Sequence, residues 1–356
     1  RFGVEMFQAI RRGWPKAKIV LTLHEYLAIC NHHGQMMKTR TYRLCEKESY
    51  SACAACFPEL GERDFFLRKR YLQMFLADVD LFISPSHFLA ERFRSWGLEE
   101  ERLAVVENMP PERDGSPFAL DFMTRAGGGG SYDPGASDAG HDATVPPAPL
   151  RGLSARMARS RPNGFPATEA PAGRKPVRFG FFGQMSPLKG ITVLMDAAKR
   201  LKALGVDNAV IDIYGDYSSQ PLEFQKVVEE ALEAAGENIS FHGAYDNSQV
   251  NALMGRIDAM VIPSTWWENS PVVIQEAFTN GKPVICSNIG GMAEKVTHGV
   301  NGLHFEVSRP ASLAAILAEL AADPVKLASL TAGVRPPPST EQILDEHLTL
   351  YERCLA

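Results

Sequence analysis

Six short apolar runs recur through the second half of the chain: "VRFGFFG", "AVIDIYG", "NISFHG", "IDAMVIP", "KPVICSN" and "NGLHF". Intervals between them, such as "LKGITVLMDAAKRLKAL" and "PLEFQKVVEEALEAA", have helical periodicity. Short buried strands alternating with helices admit few architectures, and the expected one is a doubly wound parallel α/β sheet. Such sheets bind ligands beyond the carboxyl ends of their strands, so chemistry is expected in the loops that follow each run. Earlier in the chain "AKIVLTLH" (residues 17–24), "DLFISP" and "RLAVVEN" read as three more strands, with "FFLRKRYLQMFLA" helical between them.

A stretch of different composition separates the two sets. Residues 113–174 are dominated by Gly, Pro, Ala and Ser, with few large apolar side chains. Such a composition buries too little surface to offset its ordering entropy and reads as a flexible linker or insertion. The expected organisation is therefore an N-terminal domain at 1–112, the linker at 113–174, a C-terminal domain at 175–338 and a last helix at 339–356. That helix could pack on either domain. The net charge of -5 gives no general reason to expect a nucleic-acid partner. No apolar run approaches the length of about 18 residues that suggests a membrane span, and the expected location is cytoplasmic. Arg68-Lys69-Arg70 offers one peripheral contact to anionic lipid at the inner membrane face, although three consecutive basic residues more often form a solvated face.

The segment "WWENSPVVIQEAFTNG" carries two acids, Glu268 and Glu276, in contrasting surroundings. Ser270 is suited to cap a helix and Pro271 to begin it, and Gly281 can end it with positive φ. Along that helix Glu276 falls roughly 40° from Val272, so core flanks it. A buried carboxylate needs hydrogen-bond donors, and the two hydroxyls of a ribose are natural ones. Glu268 precedes the helix, and the free N–H groups of Val272 and Val273 lie at its positive end, ready for an anion. An isolated pair of acids eight apart is more often a surface residue and a structural one. Here the context argues otherwise. "FFGQMSPLKG" places Lys189 at the start of a helix, where a bound diphosphate offsets the unfavourable macrodipole. "NIGGMAEKV" places Gly290 and Gly291 just after another strand, allowing close backbone approach.

Taken together, "FGFFGQMSPLKG", "DAMVIPSTWWENSPVVIQEAFTNGKPVICSNIGGMAEKV", "GVNGLHF", "LTLHEY" and "FISPSHFLAERF" resemble the family-4 retaining glycosyltransferases of the GT-B fold, the glycosyl transferases group 1. The resemblance implies two Rossmann-like domains facing a cleft, the N-terminal one incomplete in this chain because the strands expected ahead of "KIVLTLHEY" are not in it. It also implies transfer of a sugar from a nucleoside-diphosphate sugar to an acceptor hydroxyl, with retention of configuration and no cofactor or metal required for catalysis. The acceptor implied is a glycan or lipid-linked molecule, and the setting polysaccharide or glycan biosynthesis. Glu276 would bind the ribose. Glu268 would face the donor sugar hydroxyls, beside the backbone of Asn269, Ser270, Pro271 and Val272. Lys189 would hold the diphosphate, on the same loop as Gly183 and Gln184. Gly290, Gly291 and Met292 would line the sugar pocket, and Gly243, Ala244 and Tyr245 would seat the base. His24 would reach the reacting centre from the opposite domain, making His24, Lys189 and Glu268 the catalytic candidates. A satisfied core histidine is the plainer reading of His24.

The family usually has Arg where this chain has Gln184, and a neutral amide brings no charge to a diphosphate. Two further readings therefore stand beside the transferase: a non-catalytic sugar-nucleotide-binding module, and a nucleotide-sugar epimerase of the same fold. A dinucleotide oxidoreductase is disfavoured because no G-x-G-x-x-G follows a strand.

Cys30, Cys45, Cys53 and Cys56 crowd into one segment after "LTLHEY". Cys53-x2-Cys56 has the spacing of a zinc-binding knuckle, and His32 and His33 are spare ligands. A structural zinc is expected to pin this long loop, against the plainer reading of four free thiols.

Overall fold

The computed structural model describes residues 3–109 and 175–356, which belong to one compact unit. The linker expected at 113–174 lies outside the described residues.

All nine expected strands are present. The first sheet is parallel, in the order β1 (Val20–Thr22), β2 (Leu81–Ser84), β3 (Leu103–Val105). Leu21 pairs with Phe82, and Ile83 with Ala104. Around it lie α1 (Glu5–Gly13), α2 (Tyr50–Cys56), α3 (Glu62–Leu76) and α4 (His87–Trp96). Helix α4 begins where the Leu89 N–H donates to Ser86 Oγ at 3.2 Å, and it ends at Gly97, whose φ of 117° suits glycine.

The second sheet comprises β4 (Val177–Phe182), β5 (Ala209–Tyr214), β6 (Ile239–Gly243), β7 (Ala259–Ile262), β8 (Val284–Ser287) and β9 (Gly302–Phe305). It is parallel throughout, in the order β6-β5-β4-β7-β8-β9. The period of two decides which side chains face which layer. Ile211, Ile213 and Val261 turn toward α5 (Ile191–Ala203) and pack with Leu194 and Leu201, all fully buried. Met260 and Ile262 face the opposite layer. Each such aliphatic side chain contributes about 1.5–3 kcal/mol when fully buried. On the same side as Met260, Asp212 is also fully buried, and its charge is met by Arg178 at 2.5 Å and His242 at 2.7 Å.

The remaining helices are α6 (Leu222–Ala235), α7 (Val250–Met254), α8 (Val272–Thr279), α9 (Gly290–Lys295), α10 (Pro310–Ala322), α11 (Pro324–Gly333) and α12 (Thr340–Leu355). Helix α12 packs on the first sheet, with Ile343 buried against Ile83 and Val106. The chain runs outward from β4 in one direction through β5 and β6, and in the other through β7, β8 and β9. The strand order therefore reverses between β4 and β7, and a crevice opens beyond their carboxyl ends. Among the described residues no helix is long and apolar enough to cross a membrane.

Candidate functional site

The loops after β4 and β7 meet at that reversal. Gly190 makes the meeting possible: its φ is 71°, and a Cβ there would fall 1.8 Å from Pro263 O. The Thr265 N–H donates to Leu188 O at 2.9 Å and fastens one loop to the other. Lys189 therefore sits in the turn just before α5. The sequence places Lys189 at the start of the helix itself, but α5 starts at Ile191 with Gly190 as its cap.

This arrangement brings Lys189 and Glu268 together. Lys189 Nζ lies 2.7 Å from Glu268 Oε1. The same oxygen accepts from Ser264 Oγ at 2.8 Å and Trp266 Nε1 at 2.9 Å. Glu268 is only 7% exposed, so these donors and the lysine charge answer its desolvation. From beneath, the Gly291 N–H donates to Glu268 O at 2.8 Å. A Cβ on Gly291 would fall 1.6 Å from Asn269 O, so glycine is what lets the two backbones approach.

A cleft of about 270 Å³ opens here. Of the residues expected to bind a donor, Gly183, Gln184, Lys189, Tyr245, Glu268, Pro271, Val272 and Glu276 line it. Val273, whose N–H the sequence places at the positive end of α8, also lines it, as do Phe181, Phe182, Val261, Ile262 and Ser264, which the sequence does not mark for the site. Phe181, Phe182, Val261 and Ile262 are the ends of β4 and β7, so the strand assignment itself held the signal. Glu276 projects from α8 without compensation: burial alone raises its carboxyl to about 7. Tyr245 is pushed up to about 12, first by burial and then by the Glu276 charge.

The other expected residues fall around the cleft and are not among its lining. Gly290, Gly291 and Met292 begin α9, and Gly290 and Gly291 press against the backbone of Glu268 and Asn269. Gly243 ends β6, and Ala244 follows it toward Tyr245. Ser270 does not cap α8, whose cap is Pro271. Its hydroxyl donates instead to Glu107 Oε1 at 2.6 Å. His24 is exposed at the end of the β1 segment, and its backbone O accepts from Asn269 Nδ2.

Asn269 and Ser270 are thus held from the N-terminal residues, and further bonds extend the seam. Trp267 Nε1 donates to Cys45 O at 3.2 Å, and Gln275 Nε2 to Asn108 O at 2.8 Å. Glu294 of α9 accepts the N–H groups of His87 and Phe88, placing a carboxylate at the positive end of α4. The Arg92 guanidinium lies 4.8 Å from the ring centres of both Phe88 and Trp267.

Residues 168–333 match the family model described as Glycosyl transferases group 1. The match takes in both loops of the cleft, those after β4 and β7. The chain is 31% identical, over 127 residues, to a lipopolysaccharide 1,2-N-acetylglucosaminetransferase from Salmonella typhimurium, covering 35% of this chain and 33% of that protein. A D-inositol 3-phosphate glycosyltransferase from Jonesia denitrificans is 29% identical over 181 residues, covering 49% and 42%. The chain thus spans between a third and under half the length of these two relatives. Among solved structures, Anabaena Alr3699/HepE in complex with UDP aligns with a TM-score of 0.61 at 19% identity, covering 98% of this chain and 75% of that one. A glycosyltransferase from Rickettsia africae aligns with a TM-score of 0.54 at 19% identity, covering 81% and 66%. The matched segment sits in a GT-B architecture of two parallel α/β sheets.

None of the four clustered cysteines forms a disulfide. Cys45 and Cys56 both act electrostatically on Cys30, so the thiols share one neighbourhood. Among the described residues no three His, Cys, Asp or Glu side chains gather in the geometry of a metal site. Of the basic run, Arg68 donates to Leu27 O and Ala28 O, and Lys69 pairs with Glu48 at 3.1 Å. Two of its three cations are therefore engaged within the chain.

Proposed function

We propose that this protein transfers a sugar from a nucleoside-diphosphate sugar to an acceptor hydroxyl, with retention of configuration, in the assembly of a polysaccharide or glycan. One observation carries the reading: a cation, Lys189, and two carboxyls in unlike environments, Glu268 and Glu276, line one cleft at the strand-order reversal. Each matches one part of the donor. Lys189 supplies charge to the diphosphate. Glu276 supplies two acceptor oxygens to the ribose hydroxyls. Glu268 supplies an acceptor to the sugar, and Tyr245 a flat partner for the base.

In the proposed reaction the bond from the sugar's anomeric carbon to the diphosphate oxygen breaks. A bond to the acceptor oxygen forms on the same face, and the acceptor's proton passes to the departing diphosphate. Lys189 stabilises the negative charge that develops there. Holding donor and acceptor in register is the rest of the chain's contribution. His24 lies across the seam, on the side from which an acceptor would come. The reaction so written requires no metal. The acceptor is a glycan or a lipid-linked one, with the protein working in the cytoplasm or at the inner membrane face.

The Anabaena structures that share this fold contain UDP and UDP-glucose, so uridine donors are the first to try. Calorimetry with UDP and UDP-sugars tests the donor. The anomeric configuration of the product, read by NMR, tests retention. One observation favours a binding module without turnover: Gln184 is neutral and its amide is engaged with Ser219 Oγ at 3.1 Å. Donor binding with no product from any acceptor would select that reading.

A further inference from the structure

Glu268 Oε1 receives three donors, and they differ in where they come from. Lys189 reaches it from the loop after β4. Ser264 and Trp266 belong to the loop after β7, as Glu268 does, four and two residues ahead of it. Ser264 is 1% exposed and has little room to move. All three of these hydrogen bonds fall on Oε1 and none on Oε2, and the side chain lines the cleft.

This division matters if the lysine is drawn elsewhere. A diphosphate beside Lys189 competes with Glu268 for the same ammonium. With no other partner, Glu268 would then be a nearly buried carboxylate lacking compensation and free to turn. Two neutral donors on its own loop prevent that. They bring no charge that a diphosphate could attract, and they move with the acid.

We propose that Ser264 and Trp266 are positioning residues for Glu268, holding Oε1 while Lys189 transfers to the donor's diphosphate, so that Oε2 remains directed at the sugar. The proposal rests on the reading of the cleft as a nucleotide-sugar site. It gives the Lys189–Glu268 pair a role as a placeholder, which the diphosphate breaks and the loop's own donors replace. Trp266 takes part twice, since its ring also lies 5.8 Å from Lys189 Nζ.

Two measurements test it. The first needs no donor: a thermal-unfolding cycle of Lys189→Ala and Ser264→Ala, made singly and together. If the donors replace one another, loss of Ser264 lowers the melting temperature more in the Lys189→Ala background than in the wild type. Additive effects overturn the proposal. The second compares UDP with UDP-glucose and UDP-N-acetylglucosamine by calorimetry in the wild type, Ser264→Ala and Trp266→Phe. Both variants should keep their affinity for UDP and lose roughly ten-fold in the preference for the better-bound sugar nucleotide over UDP. Equal loss for UDP and UDP-sugar marks the two residues as merely structural and also overturns the proposal. A wild-type protein that binds none of the three contradicts the donor reading itself, and the unfolding cycle still judges the brace.

Discussion

Lys189 and Glu268 come from loops that follow different strands, yet they meet at 2.7 Å where the strand order of the sheet reverses. The pair neutralises each group and sets side by side the two charges that a sugar diphosphate would separate.

Lys189→Ala should weaken UDP binding by about 1.5–3 kcal/mol, or roughly 10- to 150-fold, the worth of a hydrogen bond to a charged group. The position ahead of α5 suggests on its own that removing a cation there helps the empty protein. The ion pair to Glu268 cancels that benefit, so the unliganded melting temperature should change little. A large drop in melting temperature with unchanged UDP affinity would make Lys189 structural.

Glu276 gives the site a pH dependence. Its folded-state value of about 7 lies above the ordinary 4.5 because burial disfavours the charged form. The empty protein therefore binds a proton there that the unfolded chain has released between those values, and this contribution to stability is lost as pH rises through about 7. Ribose binding asks for the opposite state, a carboxylate that accepts two hydroxyl groups. Nucleotide affinity should rise from pH 6 to pH 7 and level off above it, with a proton released on binding at the lower pH. Titrations in buffers of different ionisation enthalpy measure that proton directly. A flat profile, or proton uptake, contradicts the assignment.

Gly291→Ala tests the support beneath the acid. Its Cβ would collide with Asn269 O, and relieving such overpacking costs about 1–3 kcal/mol. The shift passes to Glu268 through the backbone bond it shares with Gly291, so sugar-nucleotide affinity should fall more than UDP affinity. Denaturant unfolding and calorimetry on one sample report both effects.

The strands were legible because each is a short apolar run with a turn signal at its end, and the site followed from the loops those strands imply. What local pattern could not supply was partner choice. Ser270 has every local reason to cap α8, yet it bonds to Glu107, far away in sequence. Ser264 reads as an ordinary polar residue at a strand end until the loop folds its hydroxyl back onto Glu268. The GG pair after β8 signals close backbone approach in the sequence, but not that the backbones it approaches are those of Glu268 and Asn269. The docking of α12 depended on which buried surface accepts Ile343, a tertiary matter that an amphipathic pattern alone leaves open.

Elemental analysis of protein purified without a metal column decides the cysteine segment. About one zinc per chain, lost in both Cys53→Ser and Cys56→Ser, is the outcome the C-x2-C spacing calls for. Metal-free protein with four titratable thiols contradicts it.

The most direct test of the donor site is a calorimetric titration of UDP into the wild-type protein and Glu276→Gln at pH 8, where the carboxyl is ionised. The substitution keeps the shape and leaves one acceptor oxygen in place of two. The account predicts binding to the wild type and an affinity weaker by about 1.5–3 kcal/mol, or roughly 10- to 150-fold, in the variant, with the fold unchanged. Equal affinity in the two proteins would contradict it.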